Sequence, residues 1–415
     1  MRLIPFSRLA LTAIFLALFA CTADSRAAQD KPAGTLEVAA TFSGAMPTGV
    51  AVSHKNRIFV TFPRWGDPVP FTVAEVVGGR AVPYPNAEIN AWPGLGNEHA
   101  DVFGYHSGRE RGLNETHFVS AQAVVVDAVD RLWVLDSGAP MQKLALLGAP
   151  KLVCIDLATN KVIRNISLDL VAGKNSYMND VRFDLRVGTR AVPDIIHGTA
   201  YISDSSKEGP NGLVIVDLAS GIAWRKLNNH PSVRAEPGFI TFAMGRPMYD
   251  TVPTLPPSPF SVGVDGIALS ADGSRLFYSA ISSNKLYSVS TAALRNRGLS
   301  TEKVAETIQT VIAKQPSDGL EADAAGNIYA TDVTSGGVIK IAPAPAVAGG
   351  YLITTLIHDP RMMWPDTLCL ADNGYLYIMT NQLFLQPTLH SGTDYRQHPY
   401  VLYRMKLNVK PVRLQ

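Results

Sequence analysis

The chain repeats one short pattern six times, and this repetition constrains its fold more than any other feature. Each copy contains an apolar segment, a polar turn with Asp, Asn or Gly, and a second apolar segment rich in β-branched and aromatic residues. This pattern is typical of two antiparallel strands joined by a tight turn. The copies are HKNRIFVTFPRW (54–65), DAVDRLWVLDSG (127–138), HGTAYISDSS (197–206), ADGSRLFYSAIS (271–282), AAGNIYATDVTSG (324–336) and ADNGYLYIMTNQ (371–382).

The segments that follow each copy extend the unit to four strands. KLVCIDLATNKVIRNISL and GLVIVDLASGIAWRKL each contain two alternating apolar runs separated by a turn. A single four-stranded sheet cannot bury both faces, so repeated sheets must stack on one another. The sequence therefore predicts an all-β, six-bladed β-propeller over residues 28–415. LEVAATFS, residues 36–43, is predicted to supply the closing strand of the last blade, since an open ring would expose two sheet edges.

Net charge and hydropathy limit the classes of function and the cellular locations that the sequence supports. A net charge of +2 without blocks of Lys or Arg predicts no nucleic-acid partner. Residues 1–27 resemble an export signal, with Arg2 and Arg8 before a short apolar run, which predicts a secreted or periplasmic protein. Cys21 lies in a context that resembles a lipoprotein signal, so a lipid anchor is the alternative to simple cleavage. No later segment is long enough to be a transmembrane helix.

Acidic and amide side chains recur at the start of the innermost strand of several units. One interpretation is structural, since such side chains bond the backbone N–H groups of neighbouring turns. The other is functional, because strand starts that converge on one axis can line a channel mouth and bind a small polar ligand there. The candidate ligand-binding residues are Asn179, Asp180, Asp265, Asp318 and Asp366.

Other recurring residues receive structural interpretations. Acids after the second strand are predicted to form turns through their side chains, and those between the first two strands to shape tight turns. Aromatic residues within apolar strands are predicted to pack between blades. No G-x-S-x-G nucleophile elbow and no phosphate-binding glycine loop occurs. The turn residues are Asp136, Asp204 and Asp332, then Asp130, Asp272 and Asn327, and the core aromatics are Trp133, Trp364, Tyr278 and Tyr329.

Five stretches resemble the yellow and major royal jelly proteins: RLWVLDSG, PKLVCIDLATNKVIR, YISDSS with GLVIVDLASGIAWR, GIALSADGSRLFYSAISSNKLYSVST, and MWPDTLCLADNGYLYIMTNQL. Together they span most of the mature chain, from residue 131 to residue 383. The resemblance implies a six-bladed propeller. It implies little about chemistry, because that family includes pigmentation proteins, some with dopachrome-converting activity, salivary amine binders and nutritive proteins.

A more distant resemblance is to the gluconolactonase and regucalcin propellers. It implies a divalent cation such as calcium at the channel mouth, with Asn179, Asp265 and Asp318 as ligands. The glutamate of that family would fall near Ala121 and Gln122, where this chain has none. The main expectation is therefore a small-molecule-binding propeller. The alternatives are a metal-dependent lactonase, a dopachrome-type isomerase, or an interaction scaffold without catalysis.

Overall fold

The computed structural model describes residues 34–94, 108–188, 196–251 and 255–415. The predicted export signal, residues 1–27 with Cys21, lies outside the described residues. Strands dominate, and the helices are short. None of the helices in the described ranges has the length and apolar character needed to cross a membrane.

Six four-stranded antiparallel sheets form the blades, and in each sheet the strands are hydrogen-bonded in the order given, from the innermost outward. Strands are numbered along the chain. Blade 1 contains β2 (Val50–Val52), β3 (Ile58–Thr61), β4 (Val73–Val77) and β5 (Arg80–Pro83). Blade 2 contains β6 (Ala121–Val126), β7 (Arg131–Asp136), β8 (Lys151–Asp156) and β9 (Lys161–Ser167). Blade 3 contains β10 (Met178–Asp184), β11 (Thr199–Asp204), β12 (Gly212–Asp217) and β13 (Ala223–Lys226).

The second half of the chain builds the other three blades in the same way. Blade 4 contains β18 (Val264–Leu269), β19 (Arg275–Ala280), β20 (Lys285–Ser290) and β21 (Gln309–Ala313). Blade 5 contains β22 (Leu320–Ala322), β23 (Ile328–Asp332), β24 (Gly337–Pro343) and β25 (Tyr351–His358). Blade 6 contains β26 (Pro365–Leu370), β27 (Tyr375–Thr380), β28 (Tyr400–Lys406) and β1 (Glu37–Phe42).

Short elements occupy the connections between strands. Two small two-stranded sheets, between blades 3 and 4, pair β14 (Phe242–Ala243) with β15 (Arg246–Pro247) and β16 (Tyr249–Asp250) with β17 (Ser258–Pro259). Within the described ranges, the α-helices are α1 (Ala87–Asn90), α2 (Gly108–Thr116), α3 (Thr291–Arg295) and α4 (Thr301–Ala305). The 3₁₀ turns are Pro140–Gln142, Pro231–Val233, Leu383–Leu385 and Pro387–Leu389.

The ring closes through the strand that the sequence predicts. β1 pairs antiparallel with β28, with Glu37 opposite Arg404 and Phe42 opposite Tyr400. The innermost strands β2, β6, β10, β18, β22 and β26 contact one another in a circle, including β2 with β26. Chain segments more than 300 residues apart therefore share one blade, which confirms the predicted six-bladed propeller closed by the N-terminal strand.

The core lies between neighbouring blades. Trp133, Trp364, Tyr278 and Tyr329 are all almost fully buried, as predicted for the core aromatics. Cys154 and Cys369 are free thiols. Burial raises the pKa of the Cys369 thiol to about 12, so it is protonated at neutral pH.

The C-terminal segment covers one end of the central channel. Pro411 forms an isolated β-bridge with Asp323, and the Ala324 N–H donates to the Lys410 carbonyl at 2.9 Å. The Leu185 N–H donates to the carbonyl of Leu414 at 2.9 Å, and Leu414 is buried. The segment therefore joins blades 3 and 5 beneath the channel, and the opposite end is the mouth.

Turns inside the blades depend on buried acids that the sequence analysis did not single out. In blade 2 the Asp127 carboxylate accepts hydrogen bonds from the backbone N–H groups of Val129 and Arg131, from Arg131 Nε and from Trp133 Nε1. Asp323 accepts in the same way in blade 5, from two backbone N–H groups, the Asn327 amide and the Tyr329 hydroxyl. Each of these acids precedes its turn in the sequence, and its buried carboxylate holds the turn through these hydrogen bonds.

Replacing Asp127 with alanine should lower the free energy of unfolding by about 3 kcal/mol, because several buried donors would lose their acceptor. Urea unfolding followed by circular dichroism measures this loss. Asp272→Ala is the matched control: the exposed Asp272 carboxylate, in the equivalent turn of blade 4, accepts hydrogen bonds from Ser270 Oγ and the Ser274 N–H within that turn. A loss at Asp127 no larger than the loss at Asp272 would contradict the anchoring role.

Candidate functional site

β-bulges aim the candidate residues into the channel. In four blades the register of the innermost strand shifts at its start: between Ala121 and Ala123, Met178 and Val181, Val264 and Ile267, and Pro365 and Leu368. A bulge inserts an unpaired residue and redirects its side chain. The residues inside these bulges include Gln122, Asn179, Asp265 and Asp366.

Two glycines allow the bulged strand starts to approach one another closely. A Cβ atom on Gly266 would collide with the carbonyl oxygen of Asp318 in the next blade. A Cβ atom on Gly319 would likewise collide with the carbonyl oxygen of Asp366. The Asp-Gly pairs of blades 4 and 5 therefore combine an acid that faces the channel with a residue small enough for dense packing around the axis.

A cavity of about 320 Å³ opens at the mouth, above these strand starts. Its floor is polar and contains Asn179, Asp265, Asp318 and Asp366, four of the five predicted residues. Its walls are largely apolar and include Trp65, Phe260, Val262, Ile281, Leu383 and Leu389. Lys143, Lys207 and Glu208 also line the cavity. Apolar walls around a few convergent polar groups are typical of small-molecule sites.

Asp180, the fifth predicted residue, does not line this cavity. It lines a smaller second cavity that the C-terminal segment borders. Its carboxylate pairs with Arg182 Nη1 at 2.6 Å, and Arg182 also donates to the Leu320 carbonyl. Asp180 follows Asn179 directly, and successive side chains of a strand diverge. The structure thus separates Asp180 from the other four residues.

Three buried carboxyl groups share the floor. Burial raises the pKa of Asp265 well above its usual range, and the neighbouring Asp366 raises it further. Burial and Asp265 do the same for the pKa of Asp318, and burial and Asp318 for that of Asp366. Since like charges so close in a desolvated site disfavour full ionisation, the cluster retains protons above the pH at which free aspartates lose them.

Each of these carboxyl groups also accepts a fixed N–H donor. Asn179 Nδ2 lies 2.5 Å from Asp265 Oδ2, Trp364 Nε1 lies 2.7 Å from Asp318 Oδ2, and Asn381 Nδ2 lies 2.5 Å from Asp366 Oδ2. Trp364, predicted only as a core residue, therefore also holds a site carboxyl group. No repeat phase or motif distinguishes it from the other core aromatics.

Three further residues of the site were not predicted as site residues. Trp65 Nε1 donates to the Tyr177 hydroxyl at 2.7 Å, and that hydroxyl donates to Gln122 Oε1 at 2.8 Å. Gln122 Nε2 in turn donates to Asn179 Oδ1 at 3.2 Å. Gln122 stood out in the sequence only as a departure from the gluconolactonase pattern, and nothing in the sequence links Trp65 to Tyr177.

The present side-chain arrangement does not fit the expected cation. Among the residues that the structure describes, no group of three or more His, Cys, Asp or Glu side chains is arranged to hold a metal ion. Asn179 turns its amide nitrogen, not its oxygen, toward Asp265. A calcium ion needs several oxygens directed at one point, whereas here N–H groups are directed at the carboxylate oxygens. This arrangement does not support the calcium site predicted at Asn179, Asp265 and Asp318, and that site stays a prediction.

Comparison with known protein families shows which family the chain belongs to. The family model described as Major royal jelly protein matches residues 119–412. The chain belongs to the major royal jelly protein family. Within this family, it is 26% identical over 205 residues to Major royal jelly protein 1 of Apis mellifera, which covers 48% of this chain and 43% of that protein.

Two other relatives carry different names. This royal jelly family chain is 27% identical over 192 residues to Dopaminechrome tautomerase of Drosophila melanogaster, covering 44% of this chain and 36% of that protein. It is 27% identical over 270 residues to Yellow-related salivary protein M10 of Phlebotomus duboscqi, covering 61% and 59%. The matches thus span less than two thirds of the length of these relatives.

Solved structures agree on the fold of this family member. Regucalcin of Agrobacterium tumefaciens, described as a calcium-binding protein, matches with a TM-score of 0.51 and 13% identity, over 91% of this chain and 97% of that one. A luciferin-regenerating enzyme matches with a TM-score of 0.52 and 12% identity, over 92% and 100%. At such low identity these matches establish the propeller fold alone.

Replacing Asp318 with asparagine should make stability less sensitive to pH. A carboxyl group whose folded pKa is raised binds more protons in the folded state, so its contribution is full below the unfolded pKa and falls as the pH rises through that value toward the folded pKa. Wild type should therefore lose stability relative to Asp318→Asn as the pH rises above about 4. Urea unfolding of both proteins at a series of pH values measures the difference. A constant difference, or one of opposite sign, would contradict the raised pKa.

Proposed function

We propose that this major royal jelly family protein binds a small polar organic ligand in the cavity at the channel mouth. The proposal rests on one observation. Four polar residues from four different blades line the floor of one cavity whose walls are largely apolar: Asn179, Asp265, Asp318 and Asp366. The buried carboxyl groups are hydrogen-bond acceptors and donors according to their protonation. The predicted export from the cell is part of the same proposal and rests on residues 1–27.

The chemistry of the cavity favours a protonated amine on a compact aromatic body. An ammonium group would pair with a floor carboxylate and offset its desolvation, and a ring would pack between Trp65 and Phe260. The name of one relative, dopaminechrome tautomerase, agrees with a ligand of this size. Dopamine is therefore a suitable first probe.

Dopamine should bind wild-type protein, and Asp318→Asn should weaken that binding by about tenfold, the effect of losing one buried charge-assisted contact of about 1.4 kcal/mol. Isothermal titration calorimetry measures both affinities. Phenethylamine and catechol separate the amine from the ring hydroxyls: phenethylamine should bind and catechol should bind less tightly.

Asp180→Asn is the matched control, because Asp180 recurs at the same phase of the repeat but lines the second cavity. Its dopamine affinity should stay within about twofold of wild type. Equal losses in Asp180→Asn and Asp318→Asn, or no dopamine binding by any of the proteins, would overturn the proposed ligand.

A second candidate function is proton transfer within the bound ligand. The Asp265 and Asp318 side chains are hydrogen-bonded to each other, and both have a raised pKa. One ionised and one protonated carboxyl group can take a proton from a carbon atom of the ligand and return one to an oxygen atom, which is a tautomerisation that needs no cofactor. The dopaminechrome tautomerase among the relatives favours this class of reaction.

Purified protein should then accelerate the loss of dopaminechrome absorbance, and Asp265→Asn should remove most of that acceleration while leaving the fold intact. General acid–base catalysis typically contributes about 10²–10⁴-fold. Stopped-flow absorbance with a far-ultraviolet circular dichroism check measures both. A wild-type rate equal to the buffer rate would exclude this candidate without affecting ligand binding.

Two alternatives stay predictions. A metal-dependent lactonase would need oxygen ligands that the present arrangement of Asn179 does not supply. An interaction scaffold without catalysis would leave the mouth cavity without a ligand. Titration with D-glucono-1,5-lactone and calcium, alongside dopamine, distinguishes them.

A further inference from the structure

A chain of hydrogen bonds runs across four blades and ends on a carboxyl group of the site. It begins at Trp65, after the second strand of blade 1, and continues through Tyr177 of blade 3 and Gln122 of blade 2. It then passes through Asn179 to Asp265 of blade 4. Gln122, Tyr177 and Asp265 are each less than a tenth exposed, so water competes little for these contacts.

The Trp65 indole influences the donor-to-acceptor direction of this series of hydrogen bonds. An indole N–H can only donate, so the Tyr177 oxygen accepts from Trp65, and in the structure the Tyr177 hydroxyl donates in turn to Gln122 Oε1. The Gln122 side chain therefore presents its NH₂ group to Asn179, whose oxygen accepts it. The Asn179 NH₂ group is left to face Asp265 Oδ2 and Ser205 Oγ, at 2.5 and 2.8 Å.

This direction has a consequence for selectivity at the mouth. The single amide among the predicted cation ligands offers N–H groups to Asp265, and an N–H group cannot coordinate a cation. If every hydrogen bond in this series had the opposite direction, the Asn179 oxygen would face the site beside the carboxylate oxygens. The Trp65 indole, 112 residues from Tyr177 in sequence, disfavours this reversal, because the Gln122 amide would then be a second donor to a Tyr177 oxygen that already accepts from the indole.

We propose that Trp65 and Gln122 are positioning residues that make the channel mouth select a hydrogen-bonding organic ligand over a divalent cation. They act on the site through the orientation of the Asn179 amide. The inference goes beyond the proposed ligand and does not depend on its identity, since the readout is cation binding.

The structure also supplies the partner that a reversed chain would need. Ser137 lies within hydrogen-bond reach of the Tyr177 hydroxyl, and its own hydroxyl donates to the Ser120 carbonyl at 2.8 Å. Without the indole, Tyr177 can donate to Ser137 and accept from Gln122 Nε2. Gln122 then turns its oxygen to Asn179, and Asn179 turns its oxygen to Asp265.

The test is calcium binding by wild type, Trp65→Phe and Gln122→Glu, each treated with chelator and titrated by calorimetry. Phenylalanine removes the donor that sets the direction, and glutamate can only accept from Asn179 when ionised. Both variants should bind calcium at least about tenfold more tightly than wild type, whose binding should be no stronger than the millimolar limit of weak protein sites. Terbium luminescence excited through Tyr177, which lines the cavity, gives an independent readout.

Phe260→Leu is the matched control, because Phe260 lines the same cavity but belongs to no part of the hydrogen-bond chain. It should change dopamine binding without any gain of calcium affinity. Folding of each variant is checked by thermal unfolding. Tight calcium binding by wild type, or folded Trp65→Phe and Gln122→Glu proteins that both bind calcium as weakly as wild type, would overturn the proposal.

Discussion

Closure of the ring is the constraint on which the rest of the structure depends. Pairing of β1 with β28 ties residues 37–42 to residues 400–404 and removes the two free edges that an open array of sheets would expose. The closed ring fixes the distance between the six inner strands, and the glycines at 266 and 319 let them approach closely. Carboxyl groups far apart along the chain consequently share one desolvated space.

Placing three carboxyl groups in one desolvated cavity is electrostatically unfavourable. Hydrogen bonds around the carboxyl groups offset part of this unfavourable free energy. Indole and amide N–H groups stabilise the carboxyl oxygens of Asp265, Asp318 and Asp366, while retained protons reduce the repulsion among them. A buried acidic cluster in this state can accept a cationic or hydrogen-bonding organic group.

The sequence predicts the propeller and most of the mouth, and the repeat explains why. Asn179, Asp265, Asp318 and Asp366 share one phase, and a propeller brings one phase to one end of its channel. Asp180 fits the same pattern, but its side chain points to the second cavity, because neighbouring residues of a strand diverge and pattern alone does not reveal which of the two a bulge redirects. Trp65 ends the first repeated copy, whereas Tyr177 lies outside the copies, just before β10, so no periodicity links the two residues. Asp127 precedes the turn that Asp130 marks, and its role depends on burial that the sequence does not show.

The central claim is that the mouth cavity is where a ligand binds. A crystal structure of the protein soaked or grown with dopamine tests it most directly. The account predicts the ring between Trp65 and Phe260, with the ammonium nitrogen within hydrogen-bond distance of Asp265, Asp318 or Asp366. Dopamine bound instead at the end covered by residues 410–414, or on the outer surface of the blades with the mouth unchanged, would contradict it.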